Sequence, residues 1–432
     1  MMGDGIEEAV WDILKEDQKA LGLTRGNFLA GLLGISGALH LTPEEQRRGA
    51  ARGFRLGQLA HLAAENEQMA LTFDDIAGSP YRALTSRQDA DVSTYLTNGI
   101  RLNMPIISSN MECVTGHELA IAMAQMGGLG ILHQFSTPAE QAAEVYKVKK
   151  ANVEPKDIDG MNYPSSLAKD GHYLVAAAIG VRNGLEERVK RLVDAGVDML
   201  VVDIAHGHAD QMLHIVGKLK SVHPNVPVAA GNVATPTGAY ELCEAGADVI
   251  KVGVGPGAAC TTRIVTGYGI PQITAIYEAS LIANKYHAKV MADGGIRNSG
   301  DIVKALAAGA DTVMVGALLA ATDRSNNFES RIIKRDGKGN PIEILYYGSA
   351  SEISKYKQGR GNFDTPEGRK VLLTYGGDTY VALARMITGI QSGISYAGVR
   401  RDSEAIANIF GLKTLSRWMR QSPAGFLEGS KT

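Results

Sequence analysis

The sequence predicts an α/β chain whose body is a (β/α)8 TIM barrel, with a helical extension before it and a lid after the last strand. Three observations predict it. From Pro105 onward, eight short apolar runs alternate with amphipathic segments such as Leu185, Val189, Leu192 and Val193, or Ile302, Ala305 and Leu306. A small repeat, Ala195-Gly196-Val197-Asp198, Ala245-Gly246-Ala247-Asp248 and Ala308-Gly309-Ala310-Asp311, sits each time between a helix and a strand, with glycine just past the helix end. Strands that alternate with helices pair in parallel, and eight such units within one domain close into a barrel.

Taken in order, residues 1–70 read as helical, because Ile6, Val10, Ile13 and Leu14, and later Leu56, Leu59, Leu62 and Ala63, recur at helical spacing. They carry no chemistry and are read as a packing or oligomer-contact appendage to the catalytic unit, 71–432. The expected strands are 105–109, 129–133, 174–180, 199–203, 226–230, 249–253, 289–292 and 312–316. Residues 152–172, with Pro155, Asp157, Asp159, Gly160 and Pro164, read as a polar surface loop. Residues 330–375 mix charge, glycine and tyrosine. Within them 335–341 reads as a hairpin turn and 355–368 as a mobile excursion, and a long segment after the last strand of a barrel is a natural lid.

Composition narrows the function. The 432 residues are 45% hydrophobic and 21% charged, enough for a large core, and the formal charge of -2 supplies no basic field for nucleic acid or an anionic membrane. Cys113, Cys243 and Cys260 are too few and too irregular for a disulfide framework, and no zinc spacing occurs, which fits a reducing, cytoplasmic setting. Neither a signal peptide nor a membrane span is expected.

In such barrels chemistry gathers at the C-terminal ends of the strands. The polar residues there are Asn110, Met111 and Glu112 after the first run, His133 after the second, Asp203 and His206 after the fourth, and Asn232 after the fifth. Cys260 follows the sixth, Asp293-Gly294-Gly295 the seventh and Gly316 the eighth. Cys260 lies in a glycine-rich loop, 253–272, so its thiol is expected to be presented rather than packed away. Cys243, in a helical Glu-Leu-Cys-Glu-Ala pattern, reads as core, and His133 and His208 as loop or packing histidines.

With Leu71-Thr72-Phe73-Asp74-Asp75, Asn110-Met111, the stretch Asp203 to Gly207, Gly231-Asn232-Val233, 255–263, Asp293-Gly294-Gly295, and Tyr347-Gly348 followed by Ser351-Glu352, the sequence resembles the IMP dehydrogenase/GMP reductase family over roughly 71–399. The resemblance implies that Cys260 adds to C2 of a purine nucleoside monophosphate and forms a thioimidate after loss of hydride or ammonia. Thr262 matches the threonine that moves a proton at the leaving group or water. Asp293 is implied at the ribose hydroxyls, the amides of Gly295 and Gly316 at the 5′-phosphate, Met111, Gly348 and Ser349 beside the base, and Glu367 at the purine N1 edge. Asp203, His206 and Asn232 fall where the nicotinamide cofactor lies. The resemblance also implies a tetramer or larger homo-oligomer, and K+ held by the backbone of Gly255, Gly257 and Cys260.

Within the family, the short connector at 152–172 lacks the CBS pair common in dehydrogenases. The segment between Ser351-Glu352 and Glu367-Gly368 is of reductase length and has no Arg-Tyr pair. These features favour a GMP-reductase-like enzyme that uses NADPH and acts on GMP or a modified, 7-deaza relative. Gly294 to Gly300 and Ile270-Pro271-Gln272 favour the alternative, an NAD-dependent IMP dehydrogenase without CBS domains. A non-catalytic purine-nucleotide sensor is the third reading. At the place of the reductases' glutamate partner of the threonine stands Arg324, preceded by Asp323. Either Asp323 takes the catalytic part or the proton relay differs. Ala258 replaces a phosphate-binding serine, and Ser349-Ala350 replace the usual pair beside the base.

Overall fold

All eight apolar runs are strands, and they close on one another. In chain order they are β1 (Ile106–Ser108), β2 (Leu129–Leu132), β3 (Val175–Ile179), β4 (Met199–Asp203), β5 (Val228–Val233), β6 (Val249–Val252), β7 (Lys289–Asp293) and β8 (Thr312–Val315), and β8 pairs back onto β1. Every barrel pairing is parallel. The structure, a computed structural model, describes residues 70–78, 80, 83, 86–97, 99–181, 184–357, 365–397 and 419–421. The extension expected over 1–70 thus lies outside the described residues except for Ala70, and so do 358–364 of the excursion after the last strand.

The helices are α1 (His117–Gln125), α2 (Pro138–Lys150), α3 (Leu185–Asp194), α4 (Asp210–Val222), α5 (Pro236–Glu244), α6 (Gln272–Lys285), α7 (Ser299–Ala307) and α8 (Thr379–Tyr396). Local chemistry sets their starts. Thr137 and Glu140 form a reciprocal capping box with Pro138 at the first turn, and Asn298 and Asp378 cap α7 and α8.

The Ala-Gly-x-Asp repeat does two jobs. Gly196, Gly246 and Gly309 take φ of 88°, 94° and 111°, which a side chain would resist, and so turn the chain out of each helix. The aspartate then stitches in the preceding strand. Val175, Val228 and Val290 each donate N–H to the carboxylate of Asp198, Asp248 and Asp311, all at 2.8 Å. Each valine carbonyl in turn accepts the aspartate's own N–H, and Lys149, Lys220 and Lys289 neutralise the three carboxylates.

A second clamp joins α1 to α2. Glu144 accepts from the His117 backbone N–H at 2.9 Å, contacts His117 Nδ1 at 2.8 Å, and pairs with Lys147 at 2.7 Å. Burial pushes its carboxyl up, but the hydrogen bonds from His117 and Lys147 outweigh it and hold the pKa down at about 2, from an ordinary 4.5. Because the folded value is depressed, this stabilisation is complete above pH 4.5 and drains away as pH falls toward 2. The expected result is that Glu144→Gln lowers stability at pH 7 by up to about 3 kcal/mol and flattens the fall in urea midpoint between pH 5 and 2.5. Parallel wild-type and variant curves across that range would refute it.

Inside the barrel, side chains at alternate strand positions fill the core: Ile107, Leu129, Ile131, Ala176, Ala178, Met199, Val201, Ala229, Val249, Met291 and Met314. The antiparallel hairpin Thr94–Thr97 and Ile100–Leu102 plugs the N-terminal end of the barrel with Leu96, Ile100 and Leu102. The opposite end is left for a site.

The connector at 152–172 departs from the expected loop. It contains a two-stranded hairpin, Lys156–Ile158 with Met161–Tyr163, turned by Asp159 and Gly160 at φ of 53° and 79°. Two left-handed residues in a two-residue turn are what an Asp-Gly pair provides, and that dipeptide was the available signal. The lid region is a three-stranded antiparallel sheet, Ile332–Arg335, Pro341–Tyr347 and Lys370–Thr374. The expected turn at 335–341 joins the first two of these strands. Buried Arg331 ties this flap to the barrel by donating to the carbonyls of Ala320, Asn326 and Leu345.

Candidate active site

The glycine-rich loop after β6 is held from outside by the returning end of the flap. Thr261 N donates to Glu367 O at 2.8 Å, and Arg369 N donates to Ala259 O at 2.9 Å, so Cys260 stands opposite Gly368 like a residue in a strand pair. Cys260 is partly exposed, as expected. Its Sγ donates to Thr262 Oγ1 at 3.2 Å, and Thr262 Oγ1 donates to Glu367 Oε2 at 2.9 Å. A thiol, a hydroxyl and a carboxylate therefore stand in hydrogen-bonded series, the arrangement that can carry a proton away from sulfur or from a water beside it.

The sequence expectation put Glu367 at the purine N1 edge; in the structure it lines the cavity and its Oε2 accepts from Thr262. Asp323 is not brought to the thiol. Its Oδ1 accepts from Thr379 N at 3.0 Å and Thr379 Oγ1 at 2.7 Å, which commits it to the start of α8. Arg324 turns the same way, its backbone N–H donating to Thr379 Oγ1 and its guanidinium lying over Tyr380. A carboxylate does meet the threonine, but it comes from the flap rather than from the loop after β8.

Cys260 and Thr262 open on a cavity of about 1800 Å3. Of the expected substrate residues, Met111, Asp293, Gly295, Gly316, Gly348, Ser349 and Glu367 all line it. Asp203 and Asn232 line it too, whereas His206 is exposed outside it with its ring edge against His208. His208 pairs with Glu241 at 2.8 Å, and His133 accepts from Phe135 N. Both act as packing or loop histidines. Gly257 O, one of the three carbonyls read as K+ ligands, accepts Cys260 N at 3.0 Å, so a cation there would have to share that oxygen with the amide.

Three cavity residues were passed over in the sequence. Tyr346, rather than Tyr347, lines the cavity, its phenol donating to Met111 Sδ at 3.3 Å. Burial, with the neighbouring Cys113, Asp293 and Cys260, pushes that phenol far up, so it stays a donor. Gln134 reaches across from the β2 end to donate to Asp203 O at 3.1 Å. Lys251 is the third, and the signal for it was a charge inside an apolar strand, Val249-Ile250-Lys251-Val252. Its Nζ donates to Asn232 Oδ1 at 2.7 Å, Asp203 Oδ1 at 3.3 Å and Asp293 Oδ2. Asn110 also donates to Asp203, and Asn232 to Asp293 at 2.8 Å. Asn110, Asp203, Asn232, Lys251 and Asp293 thus form one polar network along the cavity wall.

Fold and site define a class: a parallel (β/α)8 protein that presents one thiol, backed by a hydroxyl–carboxylate pair, to a large cavity at the carboxyl ends of the strands. Residues 70–431 match the family described as IMP dehydrogenase / GMP reductase domain. The chain is 32% identical to an inosine-5'-monophosphate dehydrogenase of Staphylococcus saprophyticus over 474 positions, covering 84% of this chain and 95% of the relative. It is 35% identical to the protein of that name from Borreliella burgdorferi, covering 83% and 96%. With the one from Cryptosporidium parvum it shares 38% over 370 positions, covering 78% and 90%. The chain belongs to the IMP dehydrogenase/GMP reductase family of purine nucleotide oxidoreductases. Among the described residues, no helix is long and apolar enough to cross a membrane.

Proposed function

We propose that the protein oxidises IMP at C2 with NAD as hydride acceptor, which reverses the order of preference drawn from the sequence. The observation that carries the chemistry is the series Cys260 Sγ, Thr262 Oγ1, Glu367 Oε2. The direction is supported by relatives named inosine-5'-monophosphate dehydrogenase. The short connector between β2 and β3 does not speak against it. The Cryptosporidium parvum relative is 90% covered by a match of only 370 positions, so a protein of that name need be no longer than this chain.

The cavity supports two ligands. Its roughly 1800 Å3 exceeds the range of about 300–1,000 Å3 usual for one small molecule. In this reading the nucleotide lies beside Cys260, Gly295, Gly316 and Tyr346 and the dinucleotide beside Gln134, Gly180 and Gln211, all of which line the cavity. In this reading Gly295, Gly316 and Tyr346 offer donors to the phosphate, Asp293 the ribose contact through the oxygen that Lys251 and Asn232 leave free, and Met111 and Ser349 flank the base. Asp203 and Gln134 are read as flanking a nicotinamide, which when bound would supply the acceptor for the hydride leaving C2.

Cys260 passes its proton through Thr262 to Glu367, and the thiolate adds to C2. Loss of hydride from C2 leaves a thioimidate on Cys260. Glu367 gives up the thiol's proton to solvent, water then attacks C2 while the Thr262–Glu367 pair takes its proton, and the carbon–sulfur bond breaks to release a C2 carbonyl product, the pair returning that proton to the leaving Cys260 thiolate.

A second reading, reduction of GMP with NADPH, is favoured by the short segment before Glu367. The test is to supply IMP with NAD and, separately, GMP with NADPH, and follow the absorbance of the reduced nicotinamide. A rise in the first mixture and no change in the second is expected. A fall in the second alone overturns the proposal. Silence in both, with nucleotide still bound and no adduct on Cys260, leaves the sensor.

A further inference from the structure

Along β6 the inward positions alternate. Val249 belongs to the barrel interior, Ile250 and Val252 pack outward under the helices, and Lys251 therefore points up the inside of the barrel. Its side chain is only 3% exposed. The same layer holds Asp203, two residues beyond inward Val201 on β4, and Asp293, two beyond inward Met291 on β7. Room for the lysine comes from β5, where a Cβ on Gly231 would stand 2.7 Å from Lys251 Cβ and 2.3 Å from Lys251 O.

A lysine ammonium removed from water is costly unless it is paired and its donors are used. Here all three donor directions are taken, by Asp203, Asn232 and Asp293. Burial alone would push the ammonium down, but the two carboxylates outweigh it and hold it charged. Asp203 and Asp293 are the ionisable groups facing it, and both line the cavity.

We propose that Lys251 is a positioning residue that sets both subsites at once, by tying the carboxylate read at the nucleotide, Asp293, to the carboxylate read at the dinucleotide, Asp203, through one buried ammonium. This rests on the reading of the cavity given under Proposed function. Without the ammonium, two carboxylates share a floor with no cation between them, so they repel, shift apart and hold a proton between them more readily. Lys251 itself touches no reacting atom.

The test compares wild type, Lys251→Met, Lys251→Arg and the double variant Lys251→Met/Asp203→Asn, which keeps the wild-type net charge across these three residues but not the link. Four properties are measured: IMP affinity by calorimetry without dinucleotide, KM for NAD, melting temperature, and the rate at which iodoacetamide alkylates Cys260. Lys251→Met is expected to weaken IMP binding by about 30-fold or more and to raise KM for NAD. It is also expected to make IMP affinity newly pH-dependent between pH 5 and 8, while leaving Cys260 alkylation within about twofold of wild type. Lys251→Arg is expected to recover most of the affinity, and the double variant to recover melting temperature but not affinity. If Lys251→Met does not fold, the double variant gives the reading.

IMP affinity within about threefold of wild type in Lys251→Met, or wild-type affinity in the double variant, overturns the positioning role. A wild type that binds neither IMP nor GMP overturns the substrate reading instead, and the two failures are told apart by which protein fails to bind.

Discussion

Replacing Cys260 with serine is expected to lower turnover of IMP with NAD by about 10⁴-fold or more, while IMP affinity changes by no more than about threefold. The loop that carries residue 260 is held by backbone hydrogen bonds to Glu367 and Arg369, which the substitution does not touch. A serine hydroxyl can occupy the same place and still donate to Thr262, but it ionises far less readily than a thiol and is a much weaker attacking group at neutral pH. No other cysteine can stand in. Cys113 is fully buried against Tyr347 O, and burial pushes its thiol up. Cys243 is buried in α5 and pushed up to about 12, by burial first and the neighbouring Glu244 second. Intact-mass measurement during turnover should therefore show a nucleotide adduct on wild type and none on Cys260→Ser. Residual turnover above one part in about a hundred, or an adduct on Cys113, would mean that the covalent step lies elsewhere.

The second large effect concerns the carboxylate. Glu367→Gln leaves the hydrogen bond from Thr261 N to the residue 367 carbonyl in place and keeps an acceptor for Thr262, but removes the base at the end of the series. The expected loss is about 10²- to 10³-fold in kcat, with KM for IMP little changed, because general-base catalysis acts on the transition state more than on binding. Asp323→Asn is the companion experiment. Since Asp323 is committed to Thr379 at the start of α8, this variant is expected to keep kcat within about twofold and to lose some stability. If Asp323→Asn instead cost as much as Glu367→Gln, the proton would travel by the loop after β8 and the series seen here would be a resting arrangement.

Much of this was legible in the chain. Each barrel strand is a short buried run bounded by glycine or a polar residue, and the helices between them carry their apolar faces at helical spacing, so local pattern was enough to place all eight strands. The thiol was legible as well, because a glycine-rich loop at the carboxyl end of a strand is a local feature. The hairpin 156–163 was missed although Asp159-Gly160 announced it, because its two strands are only three residues each and show too little alternation to register. Tyr346 was not singled out, since which of two consecutive tyrosines faces the cavity depends on the pairing register of the flap strand.

By itself, then, the sequence determined the barrel, the αβ turns with their glycines, and the thiol loop, because each depends on residues close together along the chain. Only the tertiary structure decided which carboxylate meets Thr262 and what Lys251 does. Glu367 lies 105 positions from Thr262 and arrives because the flap strand returns along the cysteine loop. Asp203 and Asp293 lie 48 and 42 positions from Lys251 and meet it because barrel closure sets three inward side chains at one height. Such meetings follow from strand register and closure, which a one-dimensional pattern of polarity does not specify.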